Sequence, residues 1–497
     1  MPNPSDSPAQ PPAHKFSRTQ HVLATDGGTT DGGLAYTAYA DWQILRDRDK
    51  PVAELFHVAY LADDQAAPQR PLTFVFNGGP GAASAYLHMG ALGPKRVRFN
   101  ADGSLPKPPV QVVDNAETWL TFTDLVFIDP VGTGFSRSLE DETEDKKTAP
   151  KENDRPKETP FWSVDRDLKS LGEFIQGFLS RQQRWLSPIF IAGESYGGFR
   201  VARLVRQLQQ DYGVGLSGAI LISPALEFGL LGGSDYNVTP WATVLPSFAA
   251  AAAHHGLTQP ETLDACLSEA EAFARRTYLP LLAMGDAAPP EERQAAYRQM
   301  ADMTGLPVSL VQRQAGRVDL SVFARELLRS QHRVVGLYDA SITAIDPFPD
   351  RPTFDGADPT LDGLNRLFTG AINSHLRDTL GVETDLIYHL LNFETFKAWQ
   401  YDLKGEWRQG FVGSVDEFRA GMALNPHMKV WISHGIYDLV TPYFGSNHLV
   451  DLMRLDPELR SNLTLKHYLG GHMFYAWDES REAWLQDMKK FYQGATG

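Results

Sequence analysis

One cysteine, Cys266, stands in a chain of 497 residues. No intramolecular disulfide can form, so the fold must rest on core packing. Long apolar runs are missing as well. None approaches the ~20 residues that a membrane-crossing helix needs, and no membrane partner is expected. The stretch from Met1 to His21 is rich in Pro, Ser and Ala and has no apolar segment of the kind a secretory leader carries. This predicts a disordered lead over residues 1–25 and a cytoplasmic location, or a periplasmic or secreted one if a leader has been removed. Positive charge is in deficit: 46 Lys and Arg stand against 61 Asp and Glu, a net charge of −15. Without a strong basic run, a nucleic-acid surface is not expected. Metal-binding patterns are absent too. There is no H-E-x-x-H, the lone cysteine cannot build a thiolate site, and His254 and His255 are adjacent and cannot share a helix face. No metal or other cofactor is expected.

What is present is ordinary globular composition, 42% hydrophobic and 22% charged. Residues 35–40 and 54–61 alternate with period two around the turn Asp47-Arg48-Asp49-Lys50-Pro51, which predicts an antiparallel hairpin. Largely apolar runs at residues 72–76, 124–129, 189–192 and 218–223 read as buried strands. A helical period from Val164 to Leu179 lies among them, and the alternation of strand and helix argues for a mostly parallel sheet covered on both faces. Residues 139–160 are nearly all charged, Thr or Pro, and read as a solvated loop. Between about 229 and 425 helical patterns take over, including Glu261 to Arg276, Ser309 to Arg329 and Leu361 to Thr379. Strand patterns return at residues 429–434 and 463–468, and a helix closes the chain from about Ser480 to Tyr492.

The run Gly193-Glu194-Ser195-Tyr196-Gly197 sits between a buried strand and a helical pattern, the context of a G-x-S-x-G nucleophile elbow. A serine there needs a base, and the base needs an acid to orient it. On such a sheet the chain order is Ser, acid, His. Asp438 and His472 each follow a late strand in loops that contain glycine or proline, at the sheet edge where strand ends place reactive groups. His434 is the main competitor of His472, but it precedes Asp438 and breaks that order. The Gly-rich loop Asn77-Gly78-Gly79-Pro80-Gly81 follows a buried strand and can bring backbone N–H groups close to a ligand. The loop Pro130-Val131-Gly132-Thr133-Gly134 lacks the lysine and the spacing of a phosphate cradle.

Taken together, Asn77-Gly78-Gly79-Pro80-Gly81, Gly193-Glu194-Ser195-Tyr196-Gly197-Gly198, the Asp438 loop and Gly471-His472-Met473 resemble the serine carboxypeptidase family, peptidase family S10. Asp129-Pro130-Val131-Gly132-Thr133-Gly134-Phe135-Ser136 looks like a further element of that family with one residue missing. The resemblance implies an α/β-hydrolase fold: a central, mostly parallel sheet with helices on both faces and a helical cap insertion. The core is expected over residues 26–228 and 426–497, and the cap over 229–425. It also implies removal of C-terminal residues from a peptide with a free C-terminus. Ser195 is then the nucleophile, His472 the base and then acid, and Asp438 its orienter. The N–H groups of Gly79 and Tyr196 are the implied oxyanion hole, and Asn77, Gly78 and Glu194 the implied holders of the substrate carboxylate. Glu194 can hold a carboxylate only when protonated, so burial or a neighbouring negative charge must raise its pKa, and peptidase activity should favour acidic pH.

Three departures stand out. Ala91 occupies the position of the family's partner acid for Glu194, Val75 that of a tryptophan, and Ala82 that of a cysteine. Lys95, Arg96 and Arg98 are candidates to supply a compensating positive charge. Another acyl bond suits the same triad, which leaves an esterase, an acyltransferase or an aminopeptidase as alternatives. A non-catalytic binding protein on this fold is a third reading; competent residues at every triad position speak against it.

Overall fold

The computed structural model describes residues 16–23, 33–63, 69–139, 160–352, 354, 356–401 and 412–497. Its centre is a sheet whose main path holds nine strands: β1 (Ser17–Leu23), β2 (Leu34–Asp47), β3 (Lys50–Ala62), β4 (Leu72–Phe76), β5 (Asp124–Ile128), β6 (Ile189–Glu194), β7 (Gly218–Ile222), β8 (Lys429–Gly435) and β9 (Leu463–Tyr468). Their spatial order is β1-β2-β3-β5-β4-β6-β7-β8-β9. The first three run antiparallel to their neighbours, and β3 is antiparallel to β5. From β5 through β9 every pairing is parallel. The hairpin expected at the start of the chain is β2–β3, closed at Arg48 and Asp49, which both take positive φ (45° and 71°). A primed two-residue turn of this kind matches the right-handed twist of the strands.

Helices cover both faces, because successive strand residues point to opposite sides. On one side Ile189, Ile191, Ala219 and Leu221 pack with α1 (Val164–Arg181) and α2 (Tyr196–Asp211). On the other, Phe190, Ile220 and Trp431 meet α6 (Asp478–Thr496), where Phe190 stacks on Tyr492 at 4.1 Å. Strand ends β4, β6, β8 and β9 thus open at one edge. The loops after them carry Asn77, Ser195, Asp438 and His472. This is an α/β-hydrolase fold.

The insertion is less uniform than a single cap. Helices from α3 (Thr239–His254) to residue 328 form a separate apolar cluster that also takes in Tyr437, Leu439 and Tyr443 beside the acid loop. By contrast α4 (Leu361–Ser374) places Leu367 and Phe368 in the cluster on the α6 side of the sheet. α5 (Val415–Leu424), inside the range expected for the cap, sends Phe418 and Met422 into the cluster shared with α1 and α2. The range 229–425 therefore mixes cap and core-layer helices.

Other expectations are corrected. Ser17–Leu23, read as part of a disordered lead over 1–25, is an edge strand, with exposed Arg18, Gln20 and Val22 alternating along one face. Its polar composition is that of a solvated edge. The helix expected from Ser309 to Arg329 is two short ones, Val308–Arg313 and Leu320–Glu326. Ala315 and Gly316 take positive φ between them (50° and 78°), a conformation that ends a right-handed helix. Strand structure also persists in the insertion, as Arg333–Val335 paired with Thr343–Ile345. The charged loop expected over 139–160 lies almost wholly outside the described residues. Among the described residues no helix is long and apolar enough to cross a membrane.

Candidate active site

β6 delivers Glu194 to the sheet edge and α2 starts at Tyr196, so Ser195 must turn the chain within one residue. It does so at φ 61°, ψ −122°, a backbone region that L residues rarely adopt and that persists only where the surroundings enforce it. The enforcement is visible. Ser195 N–H donates to the Ile222 carbonyl (2.9 Å), and the Ser195 carbonyl accepts from Gly198 (2.9 Å) and Ala225 (3.1 Å). Glycine is required around it. A Cβ on Gly193 would stand 2.2 Å from the Gly197 carbonyl oxygen, and one on Gly197 would stand 2.5 Å from that of Phe76.

Asp438 is fully buried in the loop after β8, and four donors surround its carboxylate. Oδ1 accepts from the backbone N–H of Val440 (2.8 Å) and Thr441 (3.0 Å). Oδ2 accepts from the Thr441 hydroxyl and from His472 Nδ1, both at 2.7 Å. Burial alone would raise its pKa, but the His472 charge and these hydrogen bonds outweigh burial and hold it below the ordinary value. An ionised carboxylate has no proton to give, so Nδ1–H is the donor and Nε2 keeps its lone pair. For His472 burial pulls the pKa down, and the Asp438 charge and hydrogen bond, with Glu194 behind them, raise it. Thr441 was not singled out from the sequence; its spacing of three from an acid at a strand end is the signal that finds it.

Ser195 and His472 line one cavity together with Asn77, Gly78, Gly79 and Glu194. Gly79 takes φ 98°, and a Cβ on Gly78 would lie 2.5 Å from Tyr196 N, so the Gly-rich loop rests against the first turn of α2. Tyr86, Tyr338, Leu361, Leu364, Leu391 and Met473 complete the apolar side of the cavity. His434 is elsewhere in function as well as order. It is buried beside Ser446, to which Nε2 bonds at 2.8 Å, and burial pushes its pKa down to about 3.

Glu194 departs from the ordinary carboxylate range in the direction the resemblance requires. Its pKa is pushed up to about 7, first by burial and further by the Asp438 charge, against the His472 charge and two hydrogen bonds that lower it. Those bonds come from Asn77 Nδ2 to Oε2 and from the Tyr475 hydroxyl to Oε1 (2.7 Å). Asn77 is itself fixed, accepting from Leu87 N–H at 3.0 Å. Ala91 is buried in the apolar cluster and brings no second acid. The compensating cations are not found in the cavity lining: Lys95 pairs with Asp114, Arg96 stands 3.7 Å from Glu117, and Arg98 donates to Gln111 (3.3 Å). Asp129 has a structural place, accepting from Ser84 N–H at 2.9 Å, and burial pushes it up to about 7. Among the described residues no group of three or more His, Cys, Asp or Glu is arranged to hold a metal ion.

Comparison with known proteins adds to this geometry. Residues 35–226 match the family model described as serine carboxypeptidase. Among curated relatives from Arabidopsis thaliana, serine carboxypeptidase-like 13 is 29% identical over 180 residues, 34% of this chain and 36% of the relative. Serine carboxypeptidase-like 5 is 28% identical over 193 residues, 37% of this chain and 38% of the relative. The chain thus spans only a little over a third of the length of these relatives. Solved structures with a partial likeness include a proline iminopeptidase from Mycobacterium smegmatis, with TM-score 0.38 and 13% identity, covering 92% of this chain and 99% of that one. A monoglyceride lipase variant from Saccharomyces cerevisiae has TM-score 0.35 and 12% identity, covering 92% and 96%. The family match contains the Gly-rich loop and the Ser195 elbow, whereas Asp438 and His472 lie beyond it and are joined to that stretch by the fold alone. Over residues 35–226 the chain is similar to the serine carboxypeptidase family.

Proposed function

We propose that this chain is a serine carboxypeptidase, releasing C-terminal residues from peptides through an acyl-enzyme on Ser195. His472 Nε2 takes the Ser195 Oγ proton as Oγ bonds to the scissile carbonyl carbon. The oxyanion that forms is met by the N–H groups of Gly79 and Tyr196, each worth roughly 10²–10³ in rate because it meets full charge only in the transition state. His472 then gives its proton to the leaving amine, and water repeats the sequence on the ester. Asp438 holds the imidazole in the tautomer that leaves Nε2 basic and balances the imidazolium charge.

The observation that carries this reading is the buried Asp438–His472 pair, 2.7 Å apart, with His472 sharing one cavity with Ser195 and with the Asn77–Glu194 pair. Nucleophile, base and a protonatable carboxyl within one small enclosure suit a substrate that ends in a carboxylate. Protonated Glu194 is the donor in that contact, which confines it to pH values near or below about 7.

Two observations favour the second reading, in which the same triad acts on another acyl bond as an esterase, acyltransferase or aminopeptidase. No Lys or Arg is among the described residues that line the cavity, and both Glu194 oxygens already accept hydrogen bonds. A peptide panel digested at pH 5 to 8 and read by mass separates the two, with Ser195→Ala as control. Stepwise loss from free C-termini, abolished by C-terminal amidation, is the result expected of the carboxypeptidase. Equal cleavage of amidated and free peptides overturns it.

A further inference from the structure

Tyr475 is fully buried three residues beyond His472, and its hydroxyl donates to Glu194 Oε1 at 2.7 Å. Small residues opposite make room for it: a Cβ on Gly90 would stand 2.9 Å from Tyr475 Cε2. The ring is also fixed from behind, stacked on Trp484 with centroids 5.9 Å apart. Glu194 therefore meets a rigid phenol on one oxygen and an anchored amide on the other, at the wall of the cavity that holds Ser195.

We propose that Tyr475 is a positioning residue for Glu194: by donating to Oε1 it holds the carboxyl as an acceptor and so opposes the protonation through which Glu194 would bind a peptide's terminal carboxylate. A carboxyl that donates to a substrate must first carry that proton. A phenol donating to the same oxygen stabilises the form without it. The other groups that face Glu194 are Asn77 from the loop after β4, Tyr86, Tyr338 from the insertion, Asp438, and His472. Burial and Asp438 favour the protonated form; His472, Asn77 and Tyr475 oppose it. Of the three opposing groups only Tyr475 lies outside both the proposed triad and the Gly-rich loop, so it moves the upper pH limit of carboxylate binding downward without belonging to the reacting groups. The consequence for substrate choice rests on the carboxypeptidase reading.

The experiment is a pH titration of the protonated carboxyl band in difference infrared spectra of the full chain. Glu194→Gln assigns the band against Asp129 and Asp339, whose carboxyls also titrate above the ordinary range. In Tyr475→Phe the Glu194 midpoint should rise by about one unit, a tenfold gain in proton affinity, as loss of one donor to the charged form requires. Replacement of Tyr475 by difluorotyrosine, a stronger donor of nearly the same shape, should lower it. Opposite signs from two near-isosteric side chains are not expected of a packing role. Folding is checked by the thermal midpoint and by fluorophosphonate labelling of Ser195. KM for a free-acid peptide should follow the same displacement along the pH axis in each variant. A Glu194 midpoint that stays put in both variants overturns the role of Tyr475. Wild-type enzyme that treats free and amidated peptides alike at every pH overturns the carboxypeptidase reading instead, and leaves the infrared result standing.

Discussion

His472 is held by a buried anion at one ring nitrogen, and that sets what pH does to the reaction. In the proposed reaction the neutral imidazole is the base, so activity should rise as pH passes upward through the His472 pKa, which burial lowers and Asp438 raises to a net value above the ordinary one. Asp438→Asn removes the charge that raises it and leaves burial, which lowers it. The acid limb should move to lower pH, and kcat should fall by roughly 10⁴, because an amide that donates to Nδ1 favours the tautomer with the proton on Nε2. Rates of acyl-enzyme formation on an activated ester, measured across pH, check both effects. Glu194 adds a second limb of opposite sense. It is protonated only below about 7, so kcat/KM for free-acid peptides should be bell-shaped, rising with His472 deprotonation and falling with Glu194 ionisation. A blocked peptide or ester should show the rising limb alone. Identical profiles for the two substrate classes would leave Glu194 without a part in recognition.

At the scale of elements, α2 serves the site twice, and only one of these uses is legible in the sequence. Its N-terminus launches from Ser195, which the glycines at 193 and 197 announce, since each marks a close backbone approach. One turn further on, Arg200 is wholly buried. It bonds Asp167 of α1 through Nε (2.7 Å) and Nη2 (3.1 Å), and its Nη1 donates to the Asn77 carbonyl at 2.6 Å. This guanidinium ties the helix that starts after Ser195 to the Gly-rich loop that carries Gly79. Nothing local marks it, because both partners are brought near by the sheet crossing and not by chain spacing. Arg200→Met should cost about 3–5 kcal/mol in urea unfolding, since it leaves the Asp167 carboxyl buried without its partner. Asp167→Asn in the same background should recover part of that loss, a non-additivity expected of two groups in direct contact. Because the loop carbonyls lose their donor, kcat should fall more than KM rises in the single variant.

The whole molecule shows why the parallel sheet, the elbow, Asp438 and His472 are readable while the insertion is not. Buried strands announce themselves by continuous apolar runs, and the loops after them inherit a fixed place at one sheet edge. The insertion declares helices but not what they hold. Residues 337–341, within that stretch, fasten both late loops of the site. Leu439 N–H donates to the Leu337 carbonyl (3.1 Å) and Ala340 N–H to that of Tyr437 (2.9 Å), on either side of Asp438. His472 N–H donates to the Tyr338 carbonyl (2.5 Å), and Gly471 N–H to Asp339 Oδ2 (2.8 Å), which also accepts from Trp477 Nε1 (3.2 Å). Burial of the Asp339 carboxyl pushes its pKa up to about 6. The insertion is thus part of the frame that holds the Asp438 and His472 loops together, as well as a wall of the cavity. Asp339→Ala leaves the buried Gly471 N–H without an acceptor, a loss of about 1–3 kcal/mol. If the frame acts as described, labelling of Ser195 by a fluorophosphonate should slow, and hydrogen exchange at Gly471 and His472 should quicken while β6 stays protected. Asp339→Asn keeps an acceptor oxygen and should restore most of both. Unchanged exchange at 471 and 472 in the alanine variant would mean that the two loops hold their positions without the insertion.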